Sequence, residues 1–224
     1  MAHNYLGLFD VIGPEMVGPS SSHTSGAAAI AWMARQIFTG APAHVRFTLY
    51  GSFADTYRGH GTDRALIGGM LGYRPDDVRI RTAFEEAREA GLDVEFVVDK
   101  EEEMPHPNTV GIDMTAADGH TLYVRGESIG GGRIRITRMN DIRVDFNGDY
   151  SMIIVGHRDE PGMMAFMTGC LAERMINIAS MKSFRNARGK QAFTIIETDD
   201  FIPDAIQDEL NARPGITSVD IIQL

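Results

Sequence analysis

A chain of 224 residues, 43% apolar and 23% charged, is long enough to bury one large or two small cores and too apolar to be disordered. A net charge of −10 argues against a nucleic-acid-binding surface, which would be basic, and no apolar run approaches the roughly 20 residues of a membrane span. The one cysteine, Cys170, excludes an internal disulfide and an all-thiolate metal cluster held by this chain alone; with an N-terminus lacking the regions of a signal peptide, it points to a soluble cytoplasmic protein.

Leu6 to Val11 is a short apolar opening segment turned at Gly13-Pro14. Gly18-Pro19-Ser20-Ser21-Ser22-His23-Thr24-Ser25-Gly26 then runs straight into a helix predicted over Ala27 to Phe38, whose Ile30, Met33, Ala34, Ile37 and Phe38 share one face. The first amides of a helix lack internal partners, and that end carries about half a positive charge. Capping needs one hydroxyl, whereas this stretch supplies five within six residues, so the mouth of the helix reads as a seat for a carboxylate or phosphate. His44 to Gly51 alternates as a half-buried strand. It exits into a second polar loop, Ser52 to Asp63, with His60 between Gly59 and Gly61, and a helix is predicted from Arg64 to about Leu71 with Thr62 or Asp63 as its N-cap. A histidine at a helix N-terminus is expected to be neutral and able to act as a base.

Arg81 to Ala90 reads as a charged helix closed by Gly91, Asp93 to Asp99 as a strand, and Lys100 to Glu103 as a solvated charge run. Two prolines exclude regular structure from Met104-Pro105-His106-Pro107-Asn108-Thr109, which presents His106 and Asn108 on a stiff turn. Strands follow over Asn108 to Thr115, Thr121 to Gly126, Arg133 to Thr137 and Ile142 to Phe146, the first two joined by an Asp118-Gly119 hairpin signal. Ser128-Ile129-Gly130-Gly131-Gly132 is not a dinucleotide fingerprint, since no strand-turn-helix follows it, and no P-loop lysine occurs.

Asn147-Gly148-Asp149 marks the boundary between units 1–147 and 148–224. Beyond it come strand Tyr150 to Gly156, a helix from Pro161-Gly162 with Met163, Phe166, Met167, Cys170 and Leu171 on one face, strand Asn177 to Lys182, a turn at Asn186 to Gly189, strand Gln191 to Thr198, a helix through Leu210 and strand Ile216 to Leu224. The order βαββαβ is ferredoxin-like, and the whole chain reads as α+β with a mixed sheet in its first unit. Cys170 falls on the core stripe, as an inert thiol.

The second unit resembles an ACT domain, a small-molecule-sensing module, through Gly156-His157-Arg158-Asp159-Glu160-Pro161-Gly162 and Ile176-Asn177-Ile178-Ala179, which are similar to the serine-binding ACT domain of bacterial phosphoglycerate dehydrogenases. That resemblance implies effector binding by His157, Asp159 and Asn177 in a symmetric pair of copies, with Asp159 departing from the amide of the family pattern. The effector, serine or a monovalent cation such as potassium, stays open. The first unit resembles the beta chain of iron-sulfur-dependent L-serine dehydratases through Leu8 to Pro14, Gly18 to Thr24, Gly59-His60-Gly61-Thr62-Asp63, His106-Pro107-Asn108-Thr109 and Ser128 to Gly132. The resemblance implies deamination of L-serine to pyruvate and ammonia, with a [4Fe–4S] cluster held by a cysteine-bearing alpha chain and no metal ligand in this one. Given that reaction, Ser21, Ser22, His23 and Thr24, with the helix amides behind them, are expected to bind the substrate carboxylate, His60 to be the general acid or base, and His106 and Asn108 to orient substrate or base, with His23 and His106 as alternatives to His60. The competing reading is a non-catalytic amino-acid sensor that regulates another enzyme.

Overall fold

The structure, a computed structural model, describes residues 15–223; the Leu6 to Val11 segment and the Leu8 to Pro14 motif lie outside them. A π-helical turn, Ser21–Ser25, leads into α1 (Gly26–Ile37), followed by β1 (Pro42–Tyr50), α2 (Gly51–Thr56), α3 (Thr62–Met70), a 3-10 turn (Val78–Thr82), α4 (Ala83–Glu89) and β2 (Asp93–Asp99). Four strands complete the first sheet: β3 (Asn108–Ala116), β4 (Thr121–Gly130), β5 (Arg133–Met139) and β6 (Ile142–Phe146). Its order is β2-β1-β3-β4-β5-β6, parallel only between β1 and β2, so the mixed sheet expected from the sequence is present.

One face of this sheet is covered by α1, with α3 packed on α1. A Cβ at Gly69 would stand 2.7 Å from the Trp32 amide nitrogen, so glycine sets how closely the two helices approach. The opposite face carries charged cross-strand pairs such as Arg46–Glu95 at 2.6 Å.

The structure redraws two local expectations. The stretch after β1 is not an open loop: Gly51 adopts a left-handed φ of 51°, reverses the chain, and lets α2 bury Phe53 and Ala54. Six residues are too few for a helical period to stand out in the sequence. The cap of α3 is Gly61, left-handed at φ 68°, not Thr62 or Asp63; Thr62 is fully buried inside the helix.

The remaining elements are β7 (Ser151–Arg158), α5 (Met163–Ala172), β8 (Ile178–Arg185), β9 (Gln191–Thr198), α6 (Ala205–Asn211) and β10 (Ile216–Ile222), in a sheet of order β10-β7-β9-β8. Ile153, Val155, Ile196 and Val219 face a core shared with Met163, Met167, Cys170 and Leu171 of α5. Met152, Ile154, Phe193, Ile195 and Ile222 point the other way and join the core of the first unit. Both faces of β7 are therefore buried, which explains its unbroken Met152-Ile153-Ile154-Val155 run. Asn186 Nδ2 donates to the Asp141 carbonyl at 2.7 Å and Lys182 Nζ to that of Asp145 at 3.2 Å, tying the rim of the second sheet to the first.

Candidate functional site

Ser20, extended at the mouth of the π-turn, organises it: its Oγ accepts from the His23 amide at 3.1 Å and its carbonyl from the amides of Thr24 and Ser25 at 2.9 and 3.2 Å. The amides of Ser21 and Ser22 take no part in these bonds, and both residues are half-buried. The extra residue per turn of a π-helix leaves His23 projecting sideways, half-buried, between two hydroxyls. Its Nδ1 lies 3.0 Å from Ser22 Oγ and its Nε2 2.8 Å from Ser52 Oγ.

The fold joins the two polar stretches that the sequence separates. The rings of His23 and His60 are 4.9 Å apart and tilted by 32°, and Thr24 Oγ1 donates to the His60 carbonyl at 2.8 Å. Phe53 of α2 meets the His23 ring edge-on at 5.5 Å. Burial first, and then the neighbouring His60, lower the proton affinity of His23, which favours a neutral imidazole. His60 Nδ1 is closed off from solvent and has no hydrogen-bond partner. His60 also borders a cleft of about 320 Å³ flanked by Arg58, Arg64 and Arg81, with Asp63 as its one carboxylate. Three guanidinium groups against one carboxylate make this cleft favour an anion.

His106 and Asn108 approach from the other side. Ser52 N donates to the Pro107 carbonyl at 2.8 Å, Gly51 bridges to Asn108, and Asn108 N donates to His106 Nδ1 at 3.2 Å. Asn108 opens β3 and leaves its buried Oδ1 unpartnered, whereas His106 faces a separate cleft of about 440 Å³ with Asp55 and Lys100. Ser25 Oγ and Ser128 Oγ are likewise buried without partners. A Cβ at Gly26 would lie 2.7 Å from Ser128 Cβ, which fixes Gly26 as the residue that lets β4 meet the start of α1.

Sequence reasoning missed Ser52, the link between His23 and the proline turn, because it sits one residue past a strand with no motif around it. It also missed Arg58 and Arg64, although both flank the glycine-bracketed His60.

The ACT-type residues are arranged differently. His157 is 1% exposed, and both its ring nitrogens are engaged, Nδ1 with the Arg158 carbonyl and Nε2 with Thr194 Oγ1, each at 2.8 Å. Asp159 pairs with Arg185 and accepts from Gly189 N, and these contacts hold its carboxyl below the usual range. Asn177 is exposed, with its amide bonded to Asp200 at 2.9 Å. In the register of the sheet, His157 lies beside Ala192, whose other neighbour is Arg185, whereas Asn177 precedes Ile178 beside Thr198, so one chain sets them at opposite ends.

Among the described residues no group of three His, Cys, Asp or Glu side chains is placed to hold a metal. Cys170 is buried on α5, and burial followed by a hydrogen bond with Glu209 raises its thiol to about 11, so it does not fit as a cluster ligand. No helix among the described residues is long and apolar enough to cross a membrane.

The family model "Serine dehydratase beta chain" matches residues 7–95, covering the π-turn and His60, and the model "ACT domain" matches residues 151–215. The "Probable L-serine dehydratase, beta chain" of Bacillus subtilis (strain 168) is 44% identical over 216 residues, 96% of this chain and 97% of the relative. The chain belongs to the L-serine dehydratase beta-chain family. The "L-serine dehydratase, beta chain" of Peptoniphilus asaccharolyticus is 38% identical over the same shares of both chains. The "D-3-phosphoglycerate dehydrogenase" of Bacillus subtilis (strain 168) is 28% identical over 162 residues, 72% of this chain but 30% of that protein.

Proposed function

We propose that the chain is the beta subunit of a two-chain L-serine dehydratase, a cytoplasmic lyase that converts L-serine to pyruvate and ammonia. The observation that carries this reading is the joining of His23, His60, Ser22 and Ser52 at a π-helical mouth, in a chain belonging to that family. In this reading unit 1–147 handles substrate. The hydroxyls of Ser21 and Ser22 and the amides behind them bind the serine carboxylate, with Thr24 bracing His60 and His23 held between Ser22 and Ser52. Such bonds to a charged group are the stronger kind, about 1.5–3 kcal/mol each. His60, with its ring 4.9 Å from a neutral imidazole, is the acid or base that moves the substrate proton, and Asn108 orients the substrate. His106, turned into the neighbouring cleft, positions Asn108 through its amide.

An iron-sulfur cluster does not fit this chain's donor set, so we assign it to a cysteine-bearing alpha chain, and the open clefts around His60 and His106 are the half of a pocket that such a partner completes. Unit 148–224 is the regulatory module. Pairing the free edge of β8 with its copy about a two-fold axis brings Asn177 of one chain to the Asp159–Arg185 end of the other, so a homodimer assembles an effector site that a single chain keeps apart.

Reconstitution tests this reading. The chain is combined with a cysteine-bearing partner, iron and sulfide without oxygen, and pyruvate formation from L-serine is followed. Turnover is expected. A well-formed cluster in a confirmed complex without turnover would establish the sensor reading instead.

A further inference from the structure

Three arginines from three separate elements meet at the cleft beside His60. Arg58 follows α2, Arg64 lies in the first turn of α3, and Arg81 belongs to the 3-10 turn. Like charges repel, and the chain carries a net charge of −10, so carboxylates to offset them are plentiful. None is used. Among the described residues none of the three forms an ion pair. Asp63, the one carboxylate in the lining, instead accepts from the Arg64 amide at 2.8 Å. Arg46 and Arg79, also exposed on this unit, are matched by Glu95 at 2.6 Å and by Asp77 at 2.5 Å.

The lining narrows the ligand. The cleft encloses about 320 Å³, which suits a small molecule, and the overall negative charge repels nucleic acid and anionic membrane surfaces. Val17 and Ile80, both buried, add an apolar wall beside the guanidiniums. A guanidinium fork engages phosphate oxygens two at a time. A phosphomonoester carries about −1.5 to −2 at neutral pH, whereas an amino-acid carboxylate carries one charge. Three unmatched guanidiniums next to an apolar wall therefore suit a phosphate on a short carbon body. Ser21, Ser22, Ser52 and Asn108 do not border this cleft, which shares only Thr24 and His60 with the polar set described above.

We propose that the cleft between Arg58, Arg64 and Arg81 binds a small phosphomonoester, at a place separate from the seat of the serine carboxylate. The assignment rests on the unpaired charge and the shape of the cleft, and holds whether or not the chain takes part in serine deamination.

Isothermal titration calorimetry of the full chain tests it without partner, cluster or turnover. Inorganic phosphate and glycerol 3-phosphate should each bind at one saturable site, the ester more tightly, and succinate about tenfold more weakly than phosphate. Arg64→Gln and Arg81→Gln, at exposed positions, should each weaken phosphate binding about tenfold through loss of charge-assisted hydrogen bonds. Arg88→Gln, on an exposed position of α4 outside the cleft, should leave it unchanged. L-Serine should not displace phosphate. Lack of saturable phosphate binding at millimolar concentration would overturn the site, as would equal weakening by Arg88→Gln or succinate binding as tightly as phosphate. Glycerol 3-phosphate binding no tighter than phosphate would overturn the ester assignment. Displacement by L-serine would overturn the separation, making this cleft the substrate's own seat. None of these readouts uses turnover, so their failure is distinct from a failed reconstitution.

Discussion

The turn at Ser20 to Ser25 and the stretch from His157 to Gly162 each lead into a helix and each carry a histidine, the first within a π-turn and the second at the end of β7, yet they differ in what their polar atoms are doing. At His157 both ring nitrogens and the Asp159 carboxylate are bonded within the chain. Around His23, by contrast, His60 Nδ1, Asn108 Oδ1, Ser25 Oγ and Ser128 Oγ are buried without partners. Native proteins leave few buried polar groups unsatisfied, because each costs about 1–3 kcal/mol, so a cluster of them marks a place arranged for something other than its own stability. In the proposed reading the first turn receives substrate, whereas the second holds its own module together until a second copy joins it.

The sharpest way to break this contrast is to truncate each histidine. His60→Ala in the assembled enzyme should lower kcat by about 10²–10⁴ with KM for serine near its original value, as expected for loss of general acid–base participation. Near-normal turnover would remove His60 from the proton path. His157→Ala should instead lower stability by about 1–3 kcal/mol in urea unfolding, since it empties a buried site and removes two hydrogen bonds, to the Thr194 hydroxyl and the Arg158 carbonyl, while leaving the serine kcat unchanged. A lost kcat with unaltered stability would reverse the assignment of the two turns. Next in size, Ser22→Ala should raise KM for serine about tenfold through loss of one hydrogen bond to a carboxylate; an effect confined to kcat would say that the hydroxyl takes part in the chemistry.

The smallest effect concerns pH. His23 titrates below the ordinary 6.5, chiefly through burial and then through His60. Between its folded value and 6.5 the unfolded chain binds more protons, so folding stability is full above that window and declines as pH falls through it. His23→Gln should remove that acid-side decline from the unfolding midpoint; an unchanged pH profile would contradict the neutral assignment.

Much of this was legible in sequence, for reasons that differ by element. The β7 to β10 unit, with α5 and α6, stands out through short apolar runs bounded by turn residues, and the Asp118-Gly119 and Asn186 to Gly189 turns fall where the composition places them. The polar stretches around His23 and His60 stood out by hydroxyl density and by bracketing glycines. Their meeting did not, because it depends on Gly51 reversing the chain into α2 and on a π-turn that rotates His23 toward Ser52; neither leaves a periodic trace. The Thr62 cap failed for the same reason: a left-handed Gly61 starts α3 and frees Thr62 to be buried.

Hydrogen–deuterium exchange on the reconstituted complex, with and without L-serine, tests the division between the two turns most directly. Serine is expected to slow amide exchange across residues 20–26 and 51–62 and to leave residues 156–162 unchanged. Protection confined to 156–162, with the serine-rich turn unaffected, would contradict it.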